Sequence, residues 1–247
     1  MNSNSNSYIF TYSVVMVVIV AAVLSTAATV LKPFQEQNRK NEKMSSILAS
    51  AKIESTAENA EELYNKYITE ELVINSKGEI VGSYANGKLD GDTRAFKVNI
   101  KTEQFKQSQG EDFVSPLYLC EYNGAKFYII PMLGKGLWGP VWGNIALKED
   151  FNTVAGIIFD HKGETPGLGA EITTSAFEDQ FIDKTIFKEN GDFISVKIQK
   201  GGAKTLPANM QNHAVDAISG GTITSDAVSD MMKSCLGNYV EYSKKQK

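Results

Sequence analysis

At 247 residues, 42% of them hydrophobic, the chain can hold one sizeable domain with an appendage, or two small domains. A net charge of -4 gives no reason to expect nucleic acid as a partner. Two cysteines and two histidines exclude a dense disulfide framework and a four-cysteine iron–sulfur cluster within the chain, and they argue against a metal site, since no Cys/His pair has ligand spacing. A single bridge between Cys120 and Cys235 stays open.

Residues 1–7 form a polar, uncharged tail, and from residue 8 to residue 31 no side chain is charged. Its apolar heart is residues 14–24, and with the belt of Tyr8, Phe10 and Tyr12 the run reaches the roughly 20 residues that a bilayer requires. Aromatics at one end and Lys32 at the other fit the two interfaces. Ser25-Thr26-Ala27-Ala28 offers small residues for signal-peptide cleavage, but no Lys or Arg precedes the apolar run, so the sequence predicts an uncleaved transmembrane helix in the lipid bilayer over residues 8–31. An ionisable residue inside a span would mark an ion path, and this span has none. Lys32, Arg39, Lys40 and Lys43 all follow the helix; the positive-inside tendency by itself would put the large C-terminal part in the cytoplasm.

Residues 42–53 and 56–68 read as helices. Ser55-Thr56-Ala57-Glu58 gives the second a start signal, and Ala60, Leu63, Tyr64, Tyr67 and Ile68 give it an apolar stripe, of the kind that more often packs a core than meets a partner. The division this suggests is a tail and anchor over residues 1–31, a helical connector over 32–70 and a soluble domain over 71–247. Within that domain, residues 72–74 and 79–81 form a hairpin about Asn75-Ser76-Lys77-Gly78. Residues 96–100 alternate as a strand. Residues 117–122 and 126–132 flank Asn123-Gly124, the strongest short hairpin signal in the chain. Strands over 145–147 and 154–159 follow, then a helix over 173–182 with Phe177 and Phe181 facing in, then a strand over 193–198. Consecutive hairpins with few helices predict an α+β fold: one N-terminal transmembrane helix followed by a mixed, largely antiparallel sheet domain.

Three small-residue segments stand out. Gly134-Lys135-Gly136-Leu137-Trp138-Gly139 formally matches the dinucleotide fingerprint and follows a strand, yet residues 140–144 show no sustained helical pattern, so nicotinamide binding is rejected. It holds Trp138, with Trp142 just beyond; indoles can pack on a flat ring but more often anchor cores. Glu164-Thr165-Pro166-Gly167-Leu168-Gly169 reads as a tight loop. Asp216-Ala217-Ile218-Ser219-Gly220-Gly221-Thr222-Ile223-Thr224 is crowded with hydroxyls. It precedes an amphipathic helix with Val228, Met231, Met232, Cys235, Leu236, Tyr239 and Val240 on one face, Asp226 in its first turn and Thr224 or Ser225 available as cap. Its plain reading is a capped helix after a turn; its functional reading is a phosphate site at a helix N-terminus.

Asp216-x-x-Ser219-Gly220-Gly221-Thr222 resembles the flavinylation motif Asp-x-x-(Ser/Thr)-Gly-Ala-Thr, with Gly221 standing where the family usually has Ala. With the other two segments in the same order, and the anchor, the C-terminal half (about residues 131–240) resembles the FMN-binding domain family found in the C subunit of the Na+-translocating NADH:quinone reductases. That family shares anchor and motif with the G subunit of the Rnf ferredoxin:NAD oxidoreductases. The resemblance implies FMN bound covalently, through a phosphodiester, to Thr222. It implies a turn shaped by Ser219, Gly220 and Gly221, a phosphate contact from Thr224, and a ring pocket drawn from Leu137, Trp138, Glu164, Thr165, Gly167, Leu168 and Gly169. No catalytic residue and no metal is implied. The chain would be a flavoprotein subunit relaying electrons among other subunits of a sodium-exporting complex that oxidises NADH with ubiquinone, inactive alone and matured by a flavin transferase. It would sit in the bacterial inner membrane with its soluble domain on the periplasmic side. A membrane-tethered binding module without redox activity is the rival from another class.

Overall fold

The computed structural model describes residues 5–246. The chain divides into two compact units, one ending at residue 43 and the other beginning at residue 44. The first consists of most of helix α1 (Asn6–Ser50), the one helix among the described residues long and apolar enough to cross a membrane. Its large apolar side chains from Ile9 to Leu31 are exposed. The helix does not stop where the apolar run stops. Pro33 lies inside it, and the helix expected over residues 42–53 is its C-terminal part. It ends at a Schellman motif: Ile53 N–H bonds to Leu48 O at 3.1 Å and Lys52 N–H to Ala49 O at 2.9 Å, with Lys52 at φ 59°.

The second unit continues with α2 (Ala60–Tyr67), β1 (Ile68–Asn75), β2 (Ile80–Ala85), β3 (Lys88–Gly91), α3 (Ile100–Ser108), β4 (Val114–Tyr122), β5 (Ala125–Lys135), β6 (Pro140–Lys148) and β7 (Val154–His161). After these come α4 (Ser175–Glu178), β8 (Lys197–Gln199), α5 (Ala208–Gln211), β9 (Ala214–Asp216), α6 (Thr222–Gly237) and α7 (Val240–Lys245). Seven strands make one antiparallel sheet in the order β3-β2-β1-β4-β5-β6-β7, and β8 pairs with β9 in parallel beside it. Asn123 and Gly124 both take positive φ, 51° and 77°, which two-residue hairpins demand. The architecture is α+β, with the sheet covered on both faces. One core joins Leu72, Leu117, Ile130 and Ile145 to Val228, Met232 and Leu236 of α6. The other joins Val73, Tyr118, Ile129 and Ala146 to Met44, Ile47 and Leu48 from the end of α1 and to Tyr64 of α2. Neighbouring residues therefore serve opposite cores, which is why β1 and β4 read as nearly continuous apolar runs. Cys120 and Cys235 lie in different cores, and both are free thiols, so the open bridge is not formed.

Three local expectations fail in this domain. Residues 96–100 are not a strand: a 3-10 turn over Ala95–Lys97 leads into α3, whose N-cap Asn99 accepts from Thr102 N–H at 3.3 Å. The backbone there is pinned by Phe96 N–H donating to Glu71 Oε2 at 3.0 Å. The helix expected over 173–182 is broken into α4 and two 3-10 turns, because Thr174 is extended at ψ 142°; Phe177 and Phe181 are nonetheless buried. Of the strand expected over 193–198, regular pairing begins only at Lys197, after Ser195 at φ 65° and an isolated bridge between Phe187 and Phe193.

Glu178 of α4 braces the edge strand β7, its Oε1 accepting from Phe159 N–H at 2.7 Å. Burial pushes its pKa up to about 7, against the opposing pull of that hydrogen bond and of Lys52. A raised folded-state value favours the protonated form on folding. The added stability is thus complete below the ordinary value of 4.5 and is lost as pH rises through about 7. Glu178→Gln should flatten the pH dependence of Tm across that window, by about 2 °C given the group's partial solvent screening, as read by thermal circular dichroism.

Candidate functional site

Three segments far apart in sequence meet at one carboxylate. The first is the turn from β5 to β6. Lys135 pairs with Pro140, and Gly136 N–H bonds to Gly139 O at 2.7 Å. The chain leaves as antiparallel β6, not as the helix a dinucleotide fingerprint requires. Leu137 and Trp138 stand exposed at the tip.

The second segment follows β7. Leu168 N–H and Ala170 N–H both bond to Thr165 O at 3.1 Å, and Gly167, at φ 75°, donates to Glu171 Oε1 at 2.9 Å. This winds the loop so that Thr165, Gly167 and Leu168 face outward while Glu164 turns in, only 4% exposed. Its Oε1 accepts Trp138 N–H at 2.9 Å, and its Oε2 accepts the Thr224 hydroxyl at 2.6 Å. The glycines are there for this carboxylate. A Cβ on Gly136 would lie 2.6 Å from Oε1, and one on Gly169 would lie 2.7 Å from Oε2 and closer still to the Thr224 hydroxyl bound to it.

The third segment opens α6. Ser219 is exposed, and Gly220 takes φ 73° beneath Leu168. Gly221 is the N-cap, so Thr222 is the first helical residue, half-buried, and no side chain caps the helix. The helix thus begins two residues before the expected cap at Thr224, and Asp226 falls outside its first turn. The hydroxyl of Thr224 is engaged by Glu164, and Ser225 Oγ accepts Ile218 N–H at 3.3 Å. Both candidate caps therefore brace the loop, leaving the N–H groups of the first turn without a side-chain partner.

Trp138, Glu164, Leu168, Gly169, Gly220, Gly221 and Thr224 are thus linked directly, while Leu137, Thr165, Gly167 and Ser219 lie on the exposed rims of the same segments. Two further residues belong here. His161 Nδ1 accepts Glu164 N–H at 3.1 Å, and Ile223, 59% exposed, extends the apolar rim of Leu137, Trp138 and Leu168. Ile223 carried a sequence signal: an apolar residue off the buried stripe of its helix. From there a groove of about 1030 Å³ runs along α6, with Trp142, Leu133, Pro140 and Met231 in its walls. An uncapped N-terminus on a sixteen-residue helix favours an anion, and permissive glycines let it approach closely. The exposed apolar rim suits a flat ring. The residues present fit a flavin mononucleotide.

The two motif glycines should differ sharply. Gly221, at φ -100°, would place a Cβ 3.0 Å from Ile218 Cγ2, a contact only a few tenths of an ångström short of ordinary; Gly220, at positive φ, would place one 2.6 Å from Leu168 Cδ2. Gly221→Ala should change stability by less than about 1 kcal/mol, whereas Gly220→Ala should cost roughly 1–2 kcal/mol from backbone strain, with equilibrium unfolding as the measurement.

Residues 136–237 match the family model of the FMN-binding domain. The C subunit of the Na+-translocating NADH-quinone reductase of Haemophilus ducreyi is 32% identical over 241 residues, spanning 96% of this chain and 91% of that protein. The corresponding C subunit of Vibrio parahaemolyticus is 34% identical over 250 residues, with coverage of 96% and 94%. The crystal structure of the C subunit from Parabacteroides distasonis, 37% identical, superposes with a TM-score of 0.74 over 88% of this chain and 98% of that one. The geometry and these relationships together make the chain a member of the C-subunit family of the Na+-translocating NADH-quinone reductases, and so a subunit of an oxidoreductase complex with an FMN-binding domain.

Proposed function

We propose that Thr222 carries FMN through a phosphodiester on its Oγ1, and that this chain holds the flavin as a one-electron relay within the membrane complex. The observation that carries the reading is the convergence on Glu164, which binds the Trp138 and Thr224 segments together at the N-terminus of α6, where Thr222 sits half-buried and accessible. FMN supplies the redox chemistry when bound. The chain supplies the rest. Thr222 is an anchor and not a base, because its hydroxyl oxygen is consumed in the ester. The N–H groups of Ile223 and Thr224 and the helix dipole offset the phosphate charge. Gly220 and Gly221 keep the approach open, and Ser219 shapes the turn. Leu137, Trp138, Thr165, Gly167 and Leu168 flank the ring, with Glu164 and Gly169 behind them. Thr224 acts by bracing this loop through its side chain, so its contribution at the phosphate is its backbone N–H.

Maturation requires a flavin transferase. The threonine Oγ–P bond forms as the pyrophosphate of FAD breaks, AMP leaves, and the hydroxyl proton is released. Residues 8–31 are the bilayer span and residues 32–70 the connector to a soluble domain over 71–247. That domain lies on the periplasmic side of the inner membrane, against the tendency of Lys32, Arg39, Lys40 and Lys43, and the neighbouring subunits supply NADH oxidation, ubiquinone reduction and the sodium path.

The test is co-expression of the full chain with a flavin transferase, followed by denaturing electrophoresis and intact mass. A fluorescent band carrying one added FMN, mapped to the Thr222 peptide, supports the reading. A dark band of unmodified mass, with the transferase active on another target, would return the chain to an anchored binding module.

A further inference from the structure

His161 closes β7 and opens the loop that carries Glu164. Its Nδ1 accepts the N–H of Glu164 at 3.1 Å, while Asp160 Oδ1 accepts the N–H of His161 itself at 2.7 Å. A ring nitrogen that accepts bears no proton, so the neutral imidazole carries its hydrogen on Nε2. On β6 the residue paired with His161 is Val141, whose Cγ1 also borders Gly136 at the turn that holds Trp138. Three hydrogen bonds therefore run in series from His161. Its ring fixes the Glu164 peptide; Oε1 of that residue fixes Trp138 N–H; Oε2 fixes the Thr224 hydroxyl. The two outer bonds depend on where the buried carboxylate points, and that depends on the Glu164 backbone. No other hydrogen bond to that N–H is present among the described residues.

We propose that His161, as the Nε2–H tautomer, is a positioning residue of the flavin site: its Nδ1 lone pair sets the Glu164 peptide and thereby the alignment of the Trp138 and Thr224 segments. The proposal rests on the reading of Thr222 as flavin carrier for its functional meaning, and on geometry alone for the hydrogen-bond series. What matters is a short-reach acceptor. The Oδ1 of asparagine stands at nearly the same reach as Nδ1 and can replace it. Leucine fills the space without accepting, and glutamine reaches too far.

The experiment uses the full chain in detergent micelles. In the flavin-free chain, long-range proton–nitrogen spectra of the imidazole should find Nδ1 unprotonated and Nε2 protonated. His161→Leu should speed hydrogen exchange at the Glu164 and Trp138 amides by about five-fold, the worth of one neutral hydrogen bond, while the Ile145 and Leu147 amides keep their rates. His161→Asn should restore the wild-type rates and His161→Gln should not. After co-expression with a transferase, the visible absorption of the covalent flavin should shift in the Leu and Gln variants and return in the Asn variant. A protonated Nδ1 in the wild type overturns the proposal whether or not the Leu variant folds; so does identical behaviour of the Leu, Asn and Gln variants. If the wild type takes no covalent flavin while the tautomer and exchange results hold, the carrier reading fails and the hold of His161 on Glu164 stands.

Discussion

With Thr222 replaced by Ala, the chain is expected to fold and reach the membrane, yet to carry no flavin through denaturation. The loss is complete because the ester needs an oxygen at that position, and neither hydroxyl of the turn that follows is free to substitute. Thr224 is 2% exposed with its hydroxyl on Glu164, and Ser225 is buried with its oxygen on Ile218 N–H. The cost to folding is small. Thr222 is half-buried at the first helical position, where it caps nothing, and Ala is the better helix former by a few tenths of a kcal/mol. Thermal unfolding should therefore stay within about 2 °C of the wild type while in-gel flavin fluorescence falls to background. Thr222→Ser keeps the oxygen and should retain some covalent flavin. Denaturation-resistant flavin in the Ala variant would move the attachment elsewhere.

A comparable loss, of stability this time, is expected at the opposite face of the sheet. Glu71 on β1 is 2% exposed and accepts four hydrogen bonds: Arg94 Nη2, Arg94 Nε at 3.3 Å, the Tyr64 hydroxyl at 3.0 Å and Phe96 N–H at 3.0 Å. The Arg94 guanidinium also lies over the Tyr84 ring, 3.5 Å from its centroid. Arg94 is 25% exposed, but removing it leaves an uncompensated charge on the buried Glu71, which costs up to about 3–5 kcal/mol. Arg94→Ala should accordingly lower Tm by roughly 10 °C. Replacing both partners with apolar residues, Glu71→Leu with Arg94→Met, should cost less than the single change, since no charge is then stranded. Both readouts come from thermal circular dichroism, and an Arg94→Ala variant that melts with the wild type would mean that solvent screens the pair. Covalent flavin content should stay unchanged in any folded variant, because Glu71 is bonded to Tyr64 in the core shared with α1 and α2, and the loops at Glu164 are on other elements.

The hairpins were legible because their turns carry local chemistry: Asn123-Gly124 accepts positive φ at both positions, and alternation marks the strands on either side. The face of α6 was legible for the same reason, since Val228, Met231, Met232, Cys235 and Leu236 repeat at helical spacing and are all buried. In two places a distant partner outvoted the local signal. The alternation over residues 96–100 gave way to a pinned turn because Glu71, 25 positions away in sequence, takes the N–H of Phe96. Thr224 looked like a cap and became a brace because Glu164, 60 positions away, takes its hydroxyl.

The same boundary runs through the site. Residue order by itself determined that one apolar run of bilayer length precedes an α+β domain, that the three small-residue segments occur in a given order, and that an amphipathic helix follows the hydroxyl-rich loop of Thr222; each follows from composition or from periodicity over a few neighbours. Only the tertiary structure decided that the segments converge on Glu164, that Gly136 and Gly169 are glycines to admit that carboxylate, and that His161 holds its peptide. Those are contacts between residues tens of positions apart. Their energy depends on distance and burial, and neither quantity exists until the fold has brought the β5–β6 turn, the loop after β7 and the start of α6 together.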